Sequence, residues 1–460
     1  MYLLAKGSNV LSKGLKNKHP RLMLMDRRHI VIDPIHGNIE MPRWLVRIKD
    51  EPSIRRMVNI KQLGLKAFID FPGAIHTRYL HSLGTMHLAG KLIGLLVDKE
   101  ETKGRLDLKE NLTNNKNSLM AAGFFHDIGH GPFSHVLDFV LEKSLNMDHE
   151  EIATKIVKSC FKDILEEDSI PTDVVCQIIK AEHKYSFLSE IINDAMDVDK
   201  VDYLIRDSYF VGLKYGFDLD HFLRQITVCG VGEKLEEYKL VLENTTEAKV
   251  SVELFVLIWK ALYDLVYHVE SSRIAEKMLE KAILVAIEVD KDFKKEMSKL
   301  ESYMRISEHY LFERLTQTGN FPGSIVDRIR RGDLYLQVFN EKLEVPNFDL
   351  NEDFLDSLRK HDFVSEVITQ KLSEPESNHY SIICDIIRTK VPKEIYVDEL
   401  DKEGEPLPIK SAVIDALRKE ELSIKVYVEP EFLKKEEKIT EENIKSKIQE
   451  IVDGWKKGEE

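Results

Sequence analysis

Cysteine is scarce in this sequence, and it is not arranged for a structural role. The four cysteines are widely separated and form no CxxC pair; they are Cys160, Cys176, Cys229 and Cys384. Disulfide frameworks and zinc knuckles need closely paired cysteines, so both are excluded. This usage fits a reducing compartment, and we expect a cytoplasmic protein.

Long hydrophobic runs are also missing. No stretch of about 18 apolar residues occurs, so the sequence predicts no membrane span and no membrane partner. Residues 1–25 are basic and contain no acidic residue, and their apolar stretches are too short and interrupted for a secretory signal. We interpret them as a flexible basic tail, with a transit peptide as the alternative.

Basic residues are fewer than acidic residues in this sequence. The 66 lysines and arginines are outnumbered by 80 acidic residues, which gives a formal net charge of -14. A strongly acidic chain is a poor non-specific ligand for nucleic acid, so nucleic acid is not the expected partner. A polyphosphate substrate remains compatible, because a metal ion and a few basic side chains can reverse the sign inside one cleft.

The apolar patterning predicts a mainly α fold. Apolar residues recur at helical spacing through most of 52–330, residues 29–45 favour a strand and a Pro/Gly turn, and the polar segment 101–118 is predicted to be a surface loop. Beyond residue 330, YLQVF, EIYVDEL and SIKVYVE favour strands. We therefore predict a basic tail (1–28), a helical core (29–330) and a smaller α/β C-terminal region for regulation or oligomerisation (331–460).

A dense cluster of ionisable residues interrupts an apolar helix. Seven ligand-capable groups fall within 25 residues of mostly apolar sequence; they are His126, Asp127, His130, His135, Asp138, His149 and Glu150. Burying imidazoles and carboxylates together is costly unless something pairs with them. A divalent metal does so, since histidine offers a neutral nitrogen and aspartate an anionic oxygen.

Two further segments complete a candidate metal site. Arg78 and His81 are three apart on one predicted helical face, so His81 can add a metal nitrogen while the planar Arg78 guanidinium matches phosphate oxygens. In INDAMDVDKVDYLIRD, Asp199 would complete a set of two histidines and two aspartates. Such a set leaves coordination positions open for water and a phosphate oxygen.

Five ordered blocks resemble the HD-domain phosphohydrolases, and within them the dNTP triphosphohydrolase branch. The blocks are DPIHGNIE (33–40), KQLG (61–64), FPGAIHTRYLHSLG (71–84), HDIGHGPFSH (126–135) and DVDKVDYLIRD (197–207). The resemblance covers roughly residues 29–280 and implies a helical HD-domain core. No sterile-alpha-motif domain is expected in this chain.

The resemblance implies a role for each matching position. It places the metal on His81, His126, Asp127 and Asp199, and proton transfer on His130, Asp138 and His149. It implies substrate contacts, with phosphates or sugar, for Gln62, Leu63, Arg78, His135, Lys200, Tyr203 and Asp207. Of these, Gln62 and Asp207 would recognise the 3′-hydroxyl.

The sequence departs from the branch at three positions. Val269 stands where a phosphate-binding arginine is expected and Lys277 where a base-contacting tyrosine is expected, with Arg273 or Lys277 as possible substitutes. In regulated members a guanine nucleotide binds ahead of the KQLG block. Asp50 and Arg56 fit that activator pattern, whereas Val58 replaces an expected arginine.

The expected function is hydrolysis of dNTPs to deoxynucleoside and triphosphate. The resemblance implies one divalent metal ion per site (Mn, Mg, Fe or Zn), a nucleotide activator in some members, and a homo-oligomer, either a dimer or a tetramer. One alternative is an HD phosphohydrolase acting on monophosphates, cyclic dinucleotides or alarmones. The other is a nucleotide-sensing or nucleic-acid-binding protein, favoured only by the basic tail.

Overall fold

A computed structural model describes residues 29–134, 136–138, 140–141, 148–230, 234–344, 381–388, 391–402, 404–418, 421–435, 442, 445–446, 449–450 and 453. The predicted basic tail and His135 lie outside these residues. The fold is mainly α with a smaller sheet-containing C-terminal region, as the patterning predicts.

The helices come in chain order as follows. The first ten are α1 (Arg43–Ile48), α2 (Pro52–Arg55), α3 (Lys66–Ile69), α4 (Arg78–Thr102), α5 (Leu106–Phe125), α6 (His149–Ile156), α7 (Lys162–Glu167), α8 (Thr172–Ile179), α9 (Ser186–Glu190) and α10 (Val198–Val211). The others are α11 (Leu219–Gln225), α12 (Thr246–Leu262), α13 (Glu270–Val289), α14 (Lys291–Ser298), α15 (Leu300–Tyr303), α16 (Glu308–Thr318), α17 (Asn320–Arg331), α18 (Ala412–Leu417) and α19 (Pro430–Lys435). Short 3₁₀ turns cover Arg56–Asn59, His126–Gly129 and Leu235–Glu237, and π-helical turns cover Val157–Phe161 and Tyr263–Tyr267.

The described strands form three small sheets. They are β1 (Ile30–Asp33), β2 (Gly37–Glu40), β3 (Ile226–Cys229), β4 (Lys239–Leu242), β5 (Leu336–Glu344), β6 (Ile382–Arg388), β7 (Tyr396–Leu400), β8 (Pro406–Pro408) and β9 (Glu421–Val428). β1 and β2 pair as an antiparallel hairpin, with Ile30 opposite Glu40. The other sheets have the orders β3-β4-β7-β8 and β5-β9-β6.

The two long helices α4 and α5 form the centre of the core. Their facing residues are apolar or small, and Trp44 of α1 packs edge-on against Phe124 and in a tilted contact with Phe125 at the end of α5. Phe125 in turn stacks on Phe161. This apolar packing fixes the end of α5, where the candidate metal residues begin.

The predicted loop at 101–118 is wrong for most of its length. Only Lys103–Arg105 separates α4 from α5, and residues 106–118 are helical. Leu108 and Leu112, four apart, are buried on the inner face of α5, while the polar residues occupy its outer face. The thin apolar stripe of this amphipathic helix is hidden in a run of asparagines and lysines.

The strands expected beyond residue 330 are confirmed as β5, β7 and β9. However, β7 pairs with β4, through Leu242 opposite Val397, so one sheet combines strands from both sides of residue 330. The division of the chain at that residue stays a prediction.

Within the part of the chain that the structure describes, α4 is the one helix whose length and apolar composition would allow it to cross a membrane. It is the central core helix, and 61% of its most apolar stretch is buried inside the fold.

Candidate metal centre and active site

Four donor side chains converge from three elements. His81 comes from the first turn of α4, His126 and Asp127 from the 3₁₀ turn that follows α5, and Asp199 from the first turn of α10. His81 Nε2 lies 2.9 Å from Asp199 Oδ1 and 3.6 Å from Asp127 Oδ2. His126 Nε2 lies 3.3 Å from one oxygen of each aspartate. The structure thus brings together all four residues predicted to hold a metal.

Both histidines present the same ring nitrogen to the carboxylates. His81 Nδ1 lies 2.8 Å from Asp202 Oδ2, and His126 Nδ1 lies 2.9 Å from the carbonyl oxygen of Gly123. Since these partners accept hydrogen bonds, each Nδ1 carries a proton, and Nε2 is the ring nitrogen directed at Asp127 and Asp199. A metal ion would bind at each Nε2 in place of a second proton.

Charge in the centre favours a cation. Burial lowers the pKa of His81, but hydrogen bonds with Asp199 and Asp202 outweigh it and raise the pKa to about 10. The pKa of His126 is also raised, because Asp127 and Asp199 outweigh the effect of burial. Burial raises the pKa of Asp199, but the neighbouring rings of His126 and His81 lower it by more, so the net pKa is lowered. The carboxylates therefore attract either protons or a metal ion.

The residues fit a divalent metal. Donor atoms of His81, His126 and Asp127 all lie within 4.8 Å of one another, and Asp199 adds a second carboxylate. His126 Nε2 is buried and makes no hydrogen bond among the described residues. Two imidazole nitrogens with two carboxylates suit Mn, Fe, Zn or Mg. The Asp199 side chain is 26% exposed, which leaves a route for solvent or substrate.

A stacked pair of histidines lies beside this centre. The rings of His130 and His149 are 4.0 Å apart and nearly parallel, and His130 Nδ1 lies 2.7 Å from Asp138 Oδ2. The close approach depends on Gly129, where a Cβ atom would lie 1.8 Å from the His149 carbonyl oxygen. The three residues predicted to transfer protons are therefore adjacent to each other and to Asp127.

The two stacked rings differ in basicity. Burial, followed by the positive charge of His130, lowers the pKa of His149 to about 4. Burial and Arg78 also lower the pKa of His130, but Asp138 and Asp127 outweigh them and its net pKa is raised. Of the two rings, His130 is therefore the more basic and the preferred carrier of a proton.

Side chains from outside hold the turn that carries the metal residues. Arg56 donates through Nη2 to the carbonyl oxygens of Ile128 and His130, at 2.5 and 2.8 Å, and Tyr303 Oη donates to that of Gly129 at 2.8 Å. Arg56 is buried in these contacts, whereas Asp50 is exposed beside Lys49, and the activator role of both residues stays a prediction.

The predicted phosphate contacts are spread around the centre. Arg78 forms a buried ion pair with Asp127 and donates from Nε to Ser134 Oγ at 3.0 Å. Lys200 pairs with Asp197 at 2.5 Å, and its side chain is 24% exposed. Tyr203 is mostly buried, and burial raises the pKa of its phenol.

The predicted sugar contacts surround Asp207. His76 Nε2 lies 2.7 Å from one oxygen of Asp207, and Tyr267 Oη donates to the other at 2.6 Å. Gln62 packs nearby, since its backbone N–H donates to the carbonyl of His76, and its buried Oε1 has no partner among the described residues. Leu63 is buried in the core.

Tyr267 is a site residue that the sequence interpretation missed. It lies in the π-helical turn Tyr263–Tyr267, which points Tyr263 and Tyr267 at each other with ring centroids 5.0 Å apart. The contact depends on this π-helical turn, and a π-helical turn cannot be recognised from the spacing of apolar residues in the sequence.

The substitutes proposed for the missing basic and aromatic contacts lie elsewhere. Arg273 donates to both oxygens of Asp385 on β6, and Lys277 lies 2.8 Å from Glu280. Both side chains lie near Asp385 of the C-terminal sheet, and the suggestion that they replace substrate contacts stays a prediction.

Comparison with known families agrees with the geometry. The model described as HD domain matches residues 78–207, and the model described as HD associated region matches residues 234–451. The first range contains all four predicted metal residues, and the second contains Tyr267 and Tyr303.

Three relatives show how far the similarity extends. An uncharacterized protein of Methanocaldococcus jannaschii is 28% identical over 92% of this chain and 83% of its own length. The human deoxynucleoside triphosphate triphosphohydrolase SAMHD1 is 34% identical over 46% of this chain and 38% of its own length. Its Dictyostelium discoideum homolog is 29% identical over 66% of this chain and 59% of its own length. The match thus spans less than two thirds of the length of the two relatives named for an activity.

Proposed function

This chain is an HD-domain protein that also carries an HD-associated region, and on that premise we propose that it hydrolyses dNTPs to deoxynucleoside and triphosphate in a metal-dependent reaction. One observation carries the proposal: the donor atoms of His81, His126, Asp127 and Asp199 meet directly beside the stacked His130–His149 pair. A metal site and a proton donor at this spacing suit attack of water on a phosphorus.

In the proposed reaction, the oxygen of water bonds to the α-phosphorus and the bond from that phosphorus to the 5′-oxygen breaks. The water gives up one proton, the 5′-oxygen gains one, and the three phosphates leave together as triphosphate. His81, His126, Asp127 and Asp199 would hold the metal. A divalent ion there would neutralise charge at the α-phosphate and lower the pKa of a water.

We assign the proton that reaches the 5′-oxygen to the His130–His149 pair. His130 has a raised pKa and is held by Asp138, whereas His149 has a pKa lowered to about 4 and fixes the ring of His130 by stacking. General acid catalysis of this kind contributes about 10² to 10⁴ in rate.

Basic residues near the partly exposed Asp199 side chain would bind the triphosphate. Arg78 places positive charge against Asp127, and Lys200 lies at the partly exposed rim with Tyr203 on the same helix. We keep His135, which lies outside the described residues, as a phosphate contact by resemblance alone.

Binding of the sugar falls to Gln62, Leu63 and Asp207. The unpartnered Oε1 of Gln62 can accept a bond from a hydroxyl, and Asp207 is fixed by His76 and Tyr267 for the same task. A buried acceptor without a partner costs free energy until a ligand supplies one. Such contacts favour a nucleoside over a simple phosphoester.

The test uses the purified chain with each dNTP and Mn²⁺ or Mg²⁺, with and without GTP, and measures triphosphate by ion-exchange chromatography. We expect release of triphosphate, and its loss in His126→Ala and Asp127→Ala. The control Asp220→Asn removes an exposed ion pair with Lys91 and should keep full activity.

Parallel incubations with deoxynucleoside monophosphates, cyclic dinucleotides and alarmones test the alternative substrates. Release of triphosphate from none of the dNTPs would overturn the proposal, and turnover of another phosphoester would replace it. We also propose a homo-oligomer, a dimer or tetramer, and light scattering with and without nucleotide measures it.

A further inference from the structure

A buried carboxylate lies behind the candidate metal centre. Asp202 follows Asp199 by three residues on α10 and is fully buried. Its Oδ2 lies 2.8 Å from His81 Nδ1, and its Oδ1 lies 2.6 Å from Nε2 of His36. Asp202 therefore joins a predicted metal ligand to the hairpin β1–β2.

The same carboxylate is held by a buried arginine. Arg206 Nε donates to Asp202 Oδ2 at 2.8 Å, and Arg206 Nη2 donates to Oδ1 at 3.0 Å. Arg206 also donates from Nη1 to Asp33 Oδ2 at 2.7 Å. Each oxygen of Asp202 thus accepts from one histidine and one guanidinium nitrogen, which leaves the carboxylate no freedom to rotate.

Space for this arrangement is reserved on the facing helix. At Gly84 of α4, a Cβ atom would lie 1.9 Å from Asp202 Oδ1 and 2.5 Å from Arg206 Nη2. Gly84 is one turn after His81, so the helix that carries the metal ligand also makes room for the carboxylate behind it.

We propose that Asp202 is the positioning residue for His81. The inference rests on the proposed metal site. A carboxylate that accepts from Nδ1–H fixes the ring and its tautomer, directs Nε2 at the metal position, and makes that nitrogen a stronger donor. Asp33 and His36 reach this network from the hairpin turn, which gives a role to a motif that the substrate contacts do not use.

A purely structural role would give the same geometry, so the test compares two matched variants. Asp202→Asn and Asp33→Asn each remove one carboxylate charge from Arg206, and both positions are buried. Only Asp202 touches His81. Binding of Mn²⁺ to the full chain is measured from the electron paramagnetic resonance signal of free Mn²⁺, and stability from thermal unfolding without metal.

We expect both variants to lose thermal stability, and only Asp202→Asn to bind Mn²⁺ more weakly, by about 10- to 100-fold. Equal Mn²⁺ affinity in Asp202→Asn and the unmutated chain would overturn the inference, and so would an equal loss in both variants. If Asp202→Asn does not fold, Asp202→Glu replaces it, since it keeps the charge and displaces the carboxylate.

A different result would contradict the proposed function and not the role of Asp202. An unmutated chain that binds Mn²⁺ but hydrolyses no dNTP would overturn the substrate assignment and leave the inference standing. An unmutated chain that binds no Mn²⁺ would overturn the inference as well.

Discussion

Asp207 shows how single residues prepare the site for a ligand. Its two oxygens are held by His76 on one side and Tyr267 on the other, and it is almost fully buried. His76 is itself fixed by stacking on Phe210, with ring centroids 4.5 Å apart. A carboxylate held in this way can meet a sugar hydroxyl without a further cost of reorientation.

Tyr267→Phe is expected to lower kcat/KM for dNTPs. The change removes the bond to Asp207 and keeps the ring. A hydrogen bond to a charged group contributes about 1.5 to 3 kcal/mol, so we expect a loss of roughly 10- to 100-fold. Steady-state kinetics measure it. Tyr310→Phe, which removes an exposed tyrosine bond to Glu296, is the control and should change nothing. Unchanged kinetics in Tyr267→Phe would remove Asp207 from substrate binding.

Asp194 gives a second prediction at this scale, on stability and pH. Burial, with the nearby charges of Glu190 and Asp197, raises the pKa of Asp194 from 3.8 to about 6. The folded chain thus binds more protons than the unfolded chain between these values. Stability contributed by this group falls as pH rises through that window.

Asp194→Asn should therefore stabilise the chain at pH 8, by about 1 to 3 kcal/mol, with the advantage lost as pH falls to about 4. Denaturant unfolding at several pH values measures it. The exposed Glu166→Gln should show no such pH-dependent gain. A stabilisation that does not change with pH would contradict the assignment.

The four metal residues could be predicted from the sequence because histidines and aspartates are unusual within apolar segments. Imidazoles and carboxylates within an apolar run are costly to bury unless they bind a partner, and all four converge in the structure. Tyr267 and Tyr303 could not be predicted, because a tyrosine among apolar residues looks like core. Their functional contacts join residues 60 and 174 positions apart.

At the scale of elements, α4 meets two different packing requirements. It packs against α5 along its apolar residues, and it also faces Asp202 and Arg206 at Gly84. The sequence pattern predicted the helix but not the reason for the glycine. That reason lies in a partner helix more than a hundred residues away.

Gly84→Ala and Gly94→Ala are a matched pair in the same helix. At Gly84 the new methyl group meets Asp202 and Arg206, whereas at Gly94 it meets nothing within 4 Å. We expect Gly94→Ala to stabilise by about 0.5 to 1 kcal/mol, because alanine favours helix over glycine.

Gly84→Ala is expected to destabilise by about 1 to 3 kcal/mol or more, because the core must shift. Urea unfolding measures both changes in the free energy of unfolding, provided that this free energy falls with urea concentration at the same slope in each variant. Equal effects at the two glycines would contradict the packing described around Asp202.

At the scale of the whole molecule, buried charge connects the helical core to the C-terminal sheet. Arg273 of α13 donates to both oxygens of Asp385 on β6, and Asp385 is fully buried. Tyr427 of β9 contacts the same carboxylate at 3.5 Å. The sequence suggested strands here but gave no sign of this connection, since the two partners are far apart along the chain.

Asp385→Asn should destabilise the chain strongly, by about 3 to 5 kcal/mol, because it removes the charge of the carboxylate to which Arg273 donates twice. Among the described residues, the buried guanidinium then keeps only the longer contact with Glu276, at 3.7 Å. Asp333→Asn also removes an arginine partner, but its side chain is 54% exposed, so we expect less than about 1 kcal/mol. Thermal unfolding compares them. A small effect at Asp385 would mean that the sheet contributes little to holding the core.

Removal of a bound metal ion is expected to lower the stability of the whole fold. Two carboxylates and two imidazoles meet in the core from three elements separated along the chain, so an ion bound there stabilises the folded state over the unfolded one. At a metal concentration about 100 times Kd, binding contributes about 2.7 kcal/mol. A chelator should therefore lower Tm, and added Mn²⁺ should restore it in a concentration-dependent way.

The variant Asp127→Ala is the control, because it removes one of the two carboxylates and should make Tm insensitive to both the chelator and Mn²⁺. Its chelator-free Tm should lie near or below that of the stripped unmutated chain, since Arg78 loses its partner. If the chelator lowered Tm equally in both chains, the stabilising ion would have to bind elsewhere. The candidate centre would then be a network of ion pairs, and its histidines would carry protons in place of a metal.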